Sequence, residues 1–272
     1  MRADLHIHSH YSDGNCSPAE IFSMAANRGL GILSITDHDT VAHLQPAREQ
    51  SAETGITFIP GVEFSTSLSD RDVHILGYAF DDEHPGLLKY LEKVRLRRID
   101  RAHRILELLR RKGVVIPAEE IDSIHETRII GRPLVAGLMV KYKYVNTLEE
   151  AFFRYLRPGT PAYVPYKLAP PQEVIELIQD WGGISVLAHP SLKDFGTLAP
   201  DLSQAGLVGV EVFRPQLGDF ESREITDKAL RMGLILTGGS DWHFNNGPFK
   251  FGDFFIEEDR IRPFLELVKQ RQ

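Results

Sequence analysis

Nine side chains that could ligate a metal ion stand in short clusters, each at the end of an apolar, β-rich run. They are His6, His8, Asp13, His38, Glu63, His74, His189, Asp241 and His243. Residues i and i+2 of a strand project from the same face, so the His-x-His pair of DLHIH and the Asp-x-His pair of SDWH can each hold one ion. Six imidazoles and three carboxylates exceed the roughly four to six ligands of one divalent ion. The surplus predicts two or three ions that share a bridging carboxylate.

The elements that position these clusters alternate between strand and helix. RADLHIH is followed by a capping box at Ser17–Glu20 and a helix that runs to Gly29. GILSITDH is predicted as a second strand, Val41–Thr54 as a helix and ITFIPGVEFS as a third strand. Such βα units favour a parallel sheet, and the clusters fall at strand ends, where a βα barrel forms its active site.

Between about residues 81 and 170 the rhythm changes. One long helix is predicted from Gly86 to Gly113, followed by helices in RPLVAGLMVKYK and TLEEAFFRYLR, and none of the nine clustered residues falls there. After the proline-rich PGTPAYVPYKLAPP the βα rhythm resumes, through ISVLAHP and GLVGVEVF to GLILTGGSDWH and a final helix near Ile261–Gln270. We therefore expect a discontinuous metal-binding domain, 1–80 with 171–272, and an all-helical insertion, 81–170, that acts as a lid.

Composition limits the class of protein. The chain has 272 residues, 42% hydrophobic and 25% charged, which is typical of a globular protein of one large domain or a barrel with an insertion. The N-terminus lacks an apolar segment of the kind that signal peptides carry, and no run approaches the roughly 18 apolar residues of a membrane helix. Cys16 is the only cysteine, which excludes a disulfide within the chain and a cysteine-based zinc site. A net charge of −7 argues against a general nucleic-acid coat protein. We expect a cytoplasmic protein with no membrane association.

The ordered set DLHIHSHYSDG, TDHD, GVEFS, HILGY, AHP and GSDWH resembles the polymerase-and-histidinol-phosphatase (PHP) superfamily of metal-dependent phosphoesterases. The resemblance covers roughly residues 1–80 and 170–272. HILGYAFD leading to an insertion with GRPLVAG is similar to the bacterial branch of nucleotide phosphoesterases and 5′-end-trimming exoribonucleases. The resemblance implies an α/β fold, a distorted (β/α)₇ TIM-like barrel with a helical insertion, and two or three manganese, iron or zinc ions.

The resemblance also implies which residues share each ion. The first ion would bind His6, His8, Glu63 and Asp241, and the second Glu63, His74 and His189, so that Glu63 is the bridge. The third would bind Asp13, His38 and His243. The residues expected to carry catalysis are Asp13, His38, Glu63, His189 and Asp241. The mixed imidazole and carboxylate set does not separate manganese from iron or zinc.

Clustered divalent ions lower the pKa of a bridging water and neutralise phosphate oxygens, which predicts hydrolysis by metal-activated hydroxide. The expected substrates are nucleotides with 3′- and 5′-phosphates, or RNA with a 5′-phosphate. Arg132 and Arg214 are predicted to bind substrate phosphate, since guanidinium groups bind phosphate in a bidentate manner. No obligate protein partner is inferred.

Other polar residues admit two interpretations each. Asp37 and Asp39 could accept a hydrogen bond from ligand imidazoles or cap the following helix. The basic stretch Arg95–Lys112 could guide RNA, but a solvated helix face is favoured. The remaining histidines fit no motif and are predicted at the surface, with the alternative for His10 that it faces substrate. They are His10, His43, His84, His103 and His125.

Three rival functions remain open. The chain could be a histidinol-phosphate phosphatase, from another branch of the superfamily. It could be an amide- or lactone-cleaving metal hydrolase, but no lysine sits at a predicted strand end to be carbamylated. It could be a non-catalytic, metal-binding structural module, although such modules typically lack several of the ligands that this chain keeps.

Overall fold

The computed structural model has a mixed α/β fold and divides into two compact units. We call them the sheet unit, Met1–Leu88 with Ala169–Gln272, and the insertion unit, Lys89–Leu168. The structure describes residues 1–69, 71–124, 128–166, 168–244 and 249–271.

The strands and helices follow one another along the chain. The strands are β1 (Arg2–Ile7), β2 (Leu30–Ile35), β3 (Thr57–Phe58), β4 (Gly61–Leu68), β5 (Arg71–Tyr78), β6 (Ile184–Leu187), β7 (Gly209–Phe213), β8 (Ile235–Gly238) and β9 (Ile256–Glu257). The helices are α1 (Pro18–Arg28), α2 (Leu44–Thr54), α3 (Pro85–Arg110), α4 (Glu119–Asp122), α5 (Arg132–Lys141), α6 (Leu148–Ala151), α7 (Pro171–Asp180), α8 (Leu192–Gln204), α9 (Asp219–Arg231) and α10 (Arg262–Lys269). In the described ranges, no helix is long and apolar enough to span a bilayer.

The strands of the sheet unit form two sheets, in the orders β3-β2-β1-β9 and β4-β5-β6-β7-β8. Strands β1 to β3 pair in parallel, as do β6 to β8. In contrast to the predicted βα repeat, β4 and β5 form an antiparallel hairpin, and β5 is also antiparallel to β6. The expected third strand, ITFIPGVEFS, is two strands that belong to different sheets. Pro60 lies between them and has no N–H for a ladder hydrogen bond.

Two isolated bridges link the sheets where the candidate ligands lie. Ile7, at the end of β1, pairs in parallel with Trp242, and His38 pairs in parallel with Glu63. The Asp241 N–H donates to the His6 carbonyl at 2.9 Å. Because Trp242 is fully buried, its flanking residues are held beside β1. These bridges bring the separate sequence clusters to one place.

The local signals that start and end α1 are those expected from the sequence. Ser17 Oγ accepts from the Glu20 N–H at 3.2 Å, and Glu20 Oε2 accepts from the Ser17 N–H at 2.7 Å. Gly29 has a φ of 69°, the left-handed conformation that glycine adopts most easily. The predicted capping box and C-terminal glycine are confirmed.

The insertion unit has its own hydrophobic core. Ala102, Leu109, Ile121, Val135 and Met139 are among its buried residues. The helix predicted in TLEEAFFRYLR is α6 followed by a π-helical turn, Phe152–Leu156. Throughout the described part of this unit the regular elements are helical.

Candidate metal centre

The first group of ligand atoms gathers around the end of β1. His6 and His8 are both fully buried, and their Nε2 atoms lie 3.1 Å apart. Glu63 Oε2 is 3.2 Å from His6 Nε2 and 3.1 Å from His8 Nε2. Asp241 Oδ1 is 3.4 and 3.3 Å from the same two nitrogens. Ligand atoms about 2.1 Å from one ion lie about 3.0 to 3.4 Å apart. The spacing and the donor set fit a divalent metal ion.

The second oxygen of Glu63 faces a second group. Its Oε1 lies 2.7 Å from His74 Nδ1 and 2.9 Å from His189 Nε2. These two imidazole nitrogens are 3.3 Å apart. One carboxylate therefore presents each of its oxygens to a different pair of histidines, which is the geometry required of a bridging ligand.

A third group forms around Asp13. Its Oδ1 lies 3.3 Å from His243 Nε2 and 3.4 Å from His8 Nδ1, and its Oδ2 lies 3.7 Å from His38 Nε2. The His243 Nδ1–H donates to the Asp241 carbonyl at 2.8 Å, which leaves Nε2 as the nitrogen with a lone pair. The three expected residues thus lie together, with His8 as a neighbour.

His38 lies between the second and third groups. Its Nδ1 is 3.3 Å from Glu63 Oε2. The His38 side chain belongs to one cluster of possible ligands with Glu63 and His74, and to another that contains Asp13. In the described part of the chain this buried Nδ1 has no hydrogen-bond partner. A buried imidazole nitrogen without a hydrogen-bond partner at this position fits a role as a metal ligand.

The backbone around two of the ligands is strained. His189 has a φ of 31° and Asp241 a φ of 53°, in the left-handed region that side chains other than glycine rarely adopt. Such conformations cost on the order of 1–3 kcal/mol each and persist where the surroundings enforce them. At Gly239 the chain runs so close to β1 that a Cβ would lie 2.3 Å from the Cβ of His6. The close approach of the chain at Gly239 and the left-handed backbone at Asp241 together place the Asp241 side chain against His6.

Glu211 was missed by the sequence analysis. It is 1% exposed, its Oε1 accepts from the His6 Nδ1–H at 3.0 Å and its Oε2 accepts from the His189 N–H at 2.8 Å. A carboxylate that binds one ring nitrogen fixes the tautomer, so that His6 Nε2 is free to ligate. The signal was a single acidic residue inside the apolar strand GLVGVEVF.

The alternative that Asp37 or Asp39 caps the following helix is wrong, whereas acceptance from a ligand imidazole stays a prediction. Asp37 is fully buried and accepts from the Ser9 N–H at 2.7 Å, from the Ser9 hydroxyl at 2.5 Å and from the Ser12 hydroxyl at 2.6 Å. Asp39 Oδ1 accepts from the Ser65 N–H at 2.8 Å. Helix α2 begins without a side-chain cap. The two carboxylates therefore fix the backbone just after His8 and, within β4, close to Glu63.

His43 is also not the surface residue predicted. It is fully buried, and its Nε2–H is shared between the carbonyls of Ile35 at 2.9 Å and Gly61 at 3.1 Å. Its Nδ1 lies 3.2 Å from Asp37 Oδ2. His10, His84 and His103 are partly exposed. His125 lies outside the described residues.

The carboxylates make the centre attractive to positive charge. Burial opposes ionisation of His8, but Asp241, Glu63 and Asp13 outweigh it and raise its pKa to about 10. Despite burial, which acts in the opposite direction, the facing imidazoles hold the pKa of Glu63 well below its usual range. Burial lowers the pKa of His38 to about 4. The centre combines ionised carboxylates with a neutral imidazole, the forms that bind cations.

The two predicted substrate-binding arginines lie in different units. Arg214 follows β7, and its Nη2–H donates to the Pro190 carbonyl at 2.8 Å, next to His189. Burial lowers the pKa of this guanidinium, while Glu211 and Asp241 act to raise it. Arg132 begins α5 in the insertion unit, with its guanidinium 5.8 Å from the ring centre of Tyr163. Contact of either arginine with substrate remains a prediction.

Comparisons with known proteins agree with this geometry. A PHP domain model matches residues 4–148. The 3′,5′-nucleoside bisphosphate phosphatase of Chromobacterium violaceum is 33% identical over 246 residues, which cover 88% of this chain and 86% of that protein. The 5′-3′ exoribonuclease Rnm of Escherichia coli is 31% identical over 247 residues, covering 88% and 84%.

A solved structure extends the likeness to the fold. A Bifidobacterium adolescentis protein, provisionally described as a metal-dependent phosphoesterase, has a TM-score of 0.89 at 27% identity and covers 97% of this chain and 96% of that one. With a matching domain over more than half of its length, and relatives above 30% identity over most of it, this chain belongs to the PHP domain family and is a metal-dependent phosphoesterase.

Proposed function

We propose that this enzyme hydrolyses phosphate esters of nucleotides, either 3′,5′-bisphosphorylated nucleosides or RNA with a 5′-phosphate. The observation that carries the proposal is Glu63, whose two oxygens face separate histidine pairs at 2.7 to 3.2 Å. A carboxylate in this arrangement suits adjacent ions that act on one phosphate. The activities named for the two relatives support the nucleotide class.

The residues present fit two or three divalent ions of manganese, iron or zinc. His6, His8, Glu63 and Asp241 would hold the first, Glu63, His74 and His189 the second, and Asp13, His38 and His243 the third. When bound, such ions supply Lewis acidity, lower the pKa of water and neutralise phosphate charge.

The protein's own groups have separate tasks in this account. Glu63 and Asp241 provide the negative charge that keeps the cations in place, and Glu211 holds His6 in the ligating tautomer. Arg214 is half-buried beside Pro190 and would bind a phosphate oxygen with a charge-assisted hydrogen bond. Arg132 would bind the phosphate that is not cleaved, which a nucleotide with two phosphates requires.

We also propose a distorted (β/α)₇ barrel as the scaffold. The bridges Ile7–Trp242 and His38–Glu63 support it, because they connect the two sheets in the cyclic order β1-β2-β4-β5-β6-β7-β8. In this proposal residues 1–80 and 171–272 form the metal-binding barrel, and residues 81–170 form a lid that shapes substrate choice.

A phosphate-release screen tests the proposed function. The manganese-loaded enzyme would be given mononucleotides, nucleoside 3′,5′-bisphosphates, short 5′-phosphorylated RNAs and histidinol phosphate. We expect release of phosphate from the bisphosphates, or of mononucleotides from the RNAs as seen by chromatography of the products, and neither after the metal is removed with a chelator. Preferred hydrolysis of histidinol phosphate would transfer the enzyme to that rival class. Hydrolysis of none of these, with metal bound, would support a non-catalytic module.

A further inference from the structure

The basic stretch of α3 is not simply a solvated helix face. Arg98 and Arg101 are each only 8% exposed. Their guanidinium groups lie over the ring of Tyr166, at 5.5 and 4.8 Å from its centre. The Arg101 Nε–H donates to the Val164 carbonyl at 2.9 Å, and the Tyr166 hydroxyl donates to the Val94 carbonyl at 3.2 Å. The segment around Tyr166 is therefore fastened against α3.

This packing creates a groove of about 420 Å³ within the insertion unit, which we call the basic groove. It is lined by Arg97, Asp100, Arg101, Arg104, Pro165 and Tyr166. Among the described residues of the lining, three guanidinium groups thus stand against one carboxylate, in a chain whose net charge is −7. The concentration of positive charge is local to this unit.

The single carboxylate does not neutralise the basic groove. Asp100 Oδ2 lies 3.8 Å from Arg104 Nη1, and the two side chains are 71% and 61% exposed. Ion pairs this exposed contribute little because water and salt screen them. Arg97 is exposed and, as far as the structure describes the chain, forms no ion pair.

The arginines repeat along one side of the helix. Arg97, Arg101 and Arg104 are separated by four and three residues, so they share a face. At a rise of 1.5 Å per residue they are spaced by roughly 6 and 4.5 Å along the axis. A row of cations with this repeat suits a row of anions, and guanidinium groups bind phosphate in particular. An aromatic ring in a cationic groove is a further feature of sites for single-stranded nucleic acid.

We propose that the basic groove binds the phosphodiester backbone of single-stranded RNA, at a site composed of residues other than the metal ligands. The inference rests on the proposed function, since it supplies a place for the part of an RNA that is not being cleaved. A volume of this size accommodates a ligand of about nucleotide dimensions, so the duplex form is not the expected ligand.

The test removes the two exposed cations, Arg97→Ala with Arg104→Ala. The control, Arg110→Ala with Lys112→Ala, removes two exposed charges at and just beyond the end of α3 that do not line the groove. Binding of a short, fluorescent, nuclease-resistant 2′-O-methyl oligouridylate to the manganese-loaded protein would be followed by anisotropy at several salt concentrations. We expect the groove variant to bind about tenfold more weakly or worse, with a salt slope smaller by roughly 1.4, since each phosphate contact contributes about 0.7. The control should match the unmodified protein.

The outcomes separate this inference from the proposed function. Binding needs no hydrolysis, so it tests the basic groove even if the phosphate-release screen fails. Release of phosphate from a nucleoside 3′,5′-bisphosphate should be the same in both variants and in the unmodified enzyme. Equal RNA affinity and equal salt slope in the groove variant would overturn the proposal. Displacement of the RNA by polyglutamate as readily as by unlabelled RNA would also overturn it, because the groove would then bind any polyanion.

Discussion

The metal centre and the basic groove differ in how their charged groups are held. In the metal centre, candidate ligands from separate strands and loops converge to within 2.7 to 3.7 Å, and Glu211 fixes two of them, His6 and His189, through further hydrogen bonds. In the basic groove, three arginines come from one helix and two of them are exposed. Coordination needs ligand atoms placed to within tenths of an ångström, whereas attraction of a polyanion needs only charge at a suitable spacing. A precisely built site therefore draws on many elements, while a site that attracts a polyanion can use one helix.

The largest effect should come from Glu211, which is not among the proposed metal ligands but fixes two of them, His6 and His189. In Glu211→Gln one carboxylate oxygen becomes an N–H₂ group, which only donates, so the side chain can no longer accept from both the His6 Nδ1–H and the His189 N–H. We expect the affinity for manganese to fall by about ten- to a hundredfold, the usual effect of losing such a partner. Competition with a fluorescent chelator measures it.

The matched control for that change is Glu224→Gln, which alters a surface pair with Lys228 on α9. Its metal affinity should equal that of the unmodified protein. If Glu211→Gln binds manganese as well as this control does, then Glu211 is not needed to position His6 and the contrast with the groove is weakened.

A second test concerns the arginine assigned to the non-reacting phosphate. A charge-assisted bidentate contact contributes about 1.5–3 kcal/mol, so Arg132→Ala should lower kcat/KM for a nucleoside 3′,5′-bisphosphate by roughly ten- to a hundredfold. An aryl phosphate has no second phosphate, so its kcat/KM should fall less. Steady-state kinetics on the two substrates measures the difference.

Arg214 sharpens the same test. Because its guanidinium donates to the Pro190 carbonyl beside His189, Arg214→Ala should impair both substrates. Equal losses for Arg132→Ala on both substrates would instead place Arg132 at the phosphate that is cleaved, and no loss on either would remove it from the site.

A smaller effect is expected from His43, whose buried ring binds the backbone carbonyls of Ile35 and Gly61. Burial lowers the pKa of His43 and outweighs the opposing effects of Asp37 and of the two carbonyls, so the pKa in the folded protein lies below the ordinary histidine value of about 6.5. The unfolded chain then binds the proton more readily, and the stability that neutral His43 provides is present above about pH 6.5 and lost as the pH falls below it. In urea unfolding of the metal-loaded protein, His43→Gln should show a flatter loss of stability between about pH 7 and 5 than the unmodified protein. Parallel curves would show that His43 does not titrate in this range.

The sequence was informative wherever a pattern is local. His6 and His8 share a strand face because side chains alternate with a period of two, and the capping box of α1 is a contact between Ser17 and Glu20, three residues apart. The roles of Glu211 and Asp37 were not predictable in the same way. Their partners lie up to 205 residues away in the chain, as for Glu211 and His6.

For the fold, too, local features were predictable from the sequence and long-range pairing was not. The positions of α1, α3 and α5 followed from local patterns, but α8 was not predicted. The break of ITFIPGVEFS into β3 and β4 depends on which sheet each half joins. The antiparallel pairing of β4 with β5 was not predicted for the same reason, since a strand's partners are set by tertiary packing and not by its own composition. His43 was misjudged because its two carbonyl partners come from β2 and β4, strands of different sheets that only the fold brings together.

Metal content shows whether Glu63 bridges two ions, as we propose. Manganese bound per chain would be measured by mass spectrometry for the unmodified protein, Glu63→Gln and Asp13→Asn, with phosphate release from a nucleoside bisphosphate in parallel. Because each oxygen of Glu63 faces a different histidine pair, we expect Glu63→Gln to lose more than one equivalent and its activity. Asp13→Asn, which belongs to the third group alone, should lose no more than one. Full occupancy with full activity in Glu63→Gln would contradict the bridging role and the account built on it.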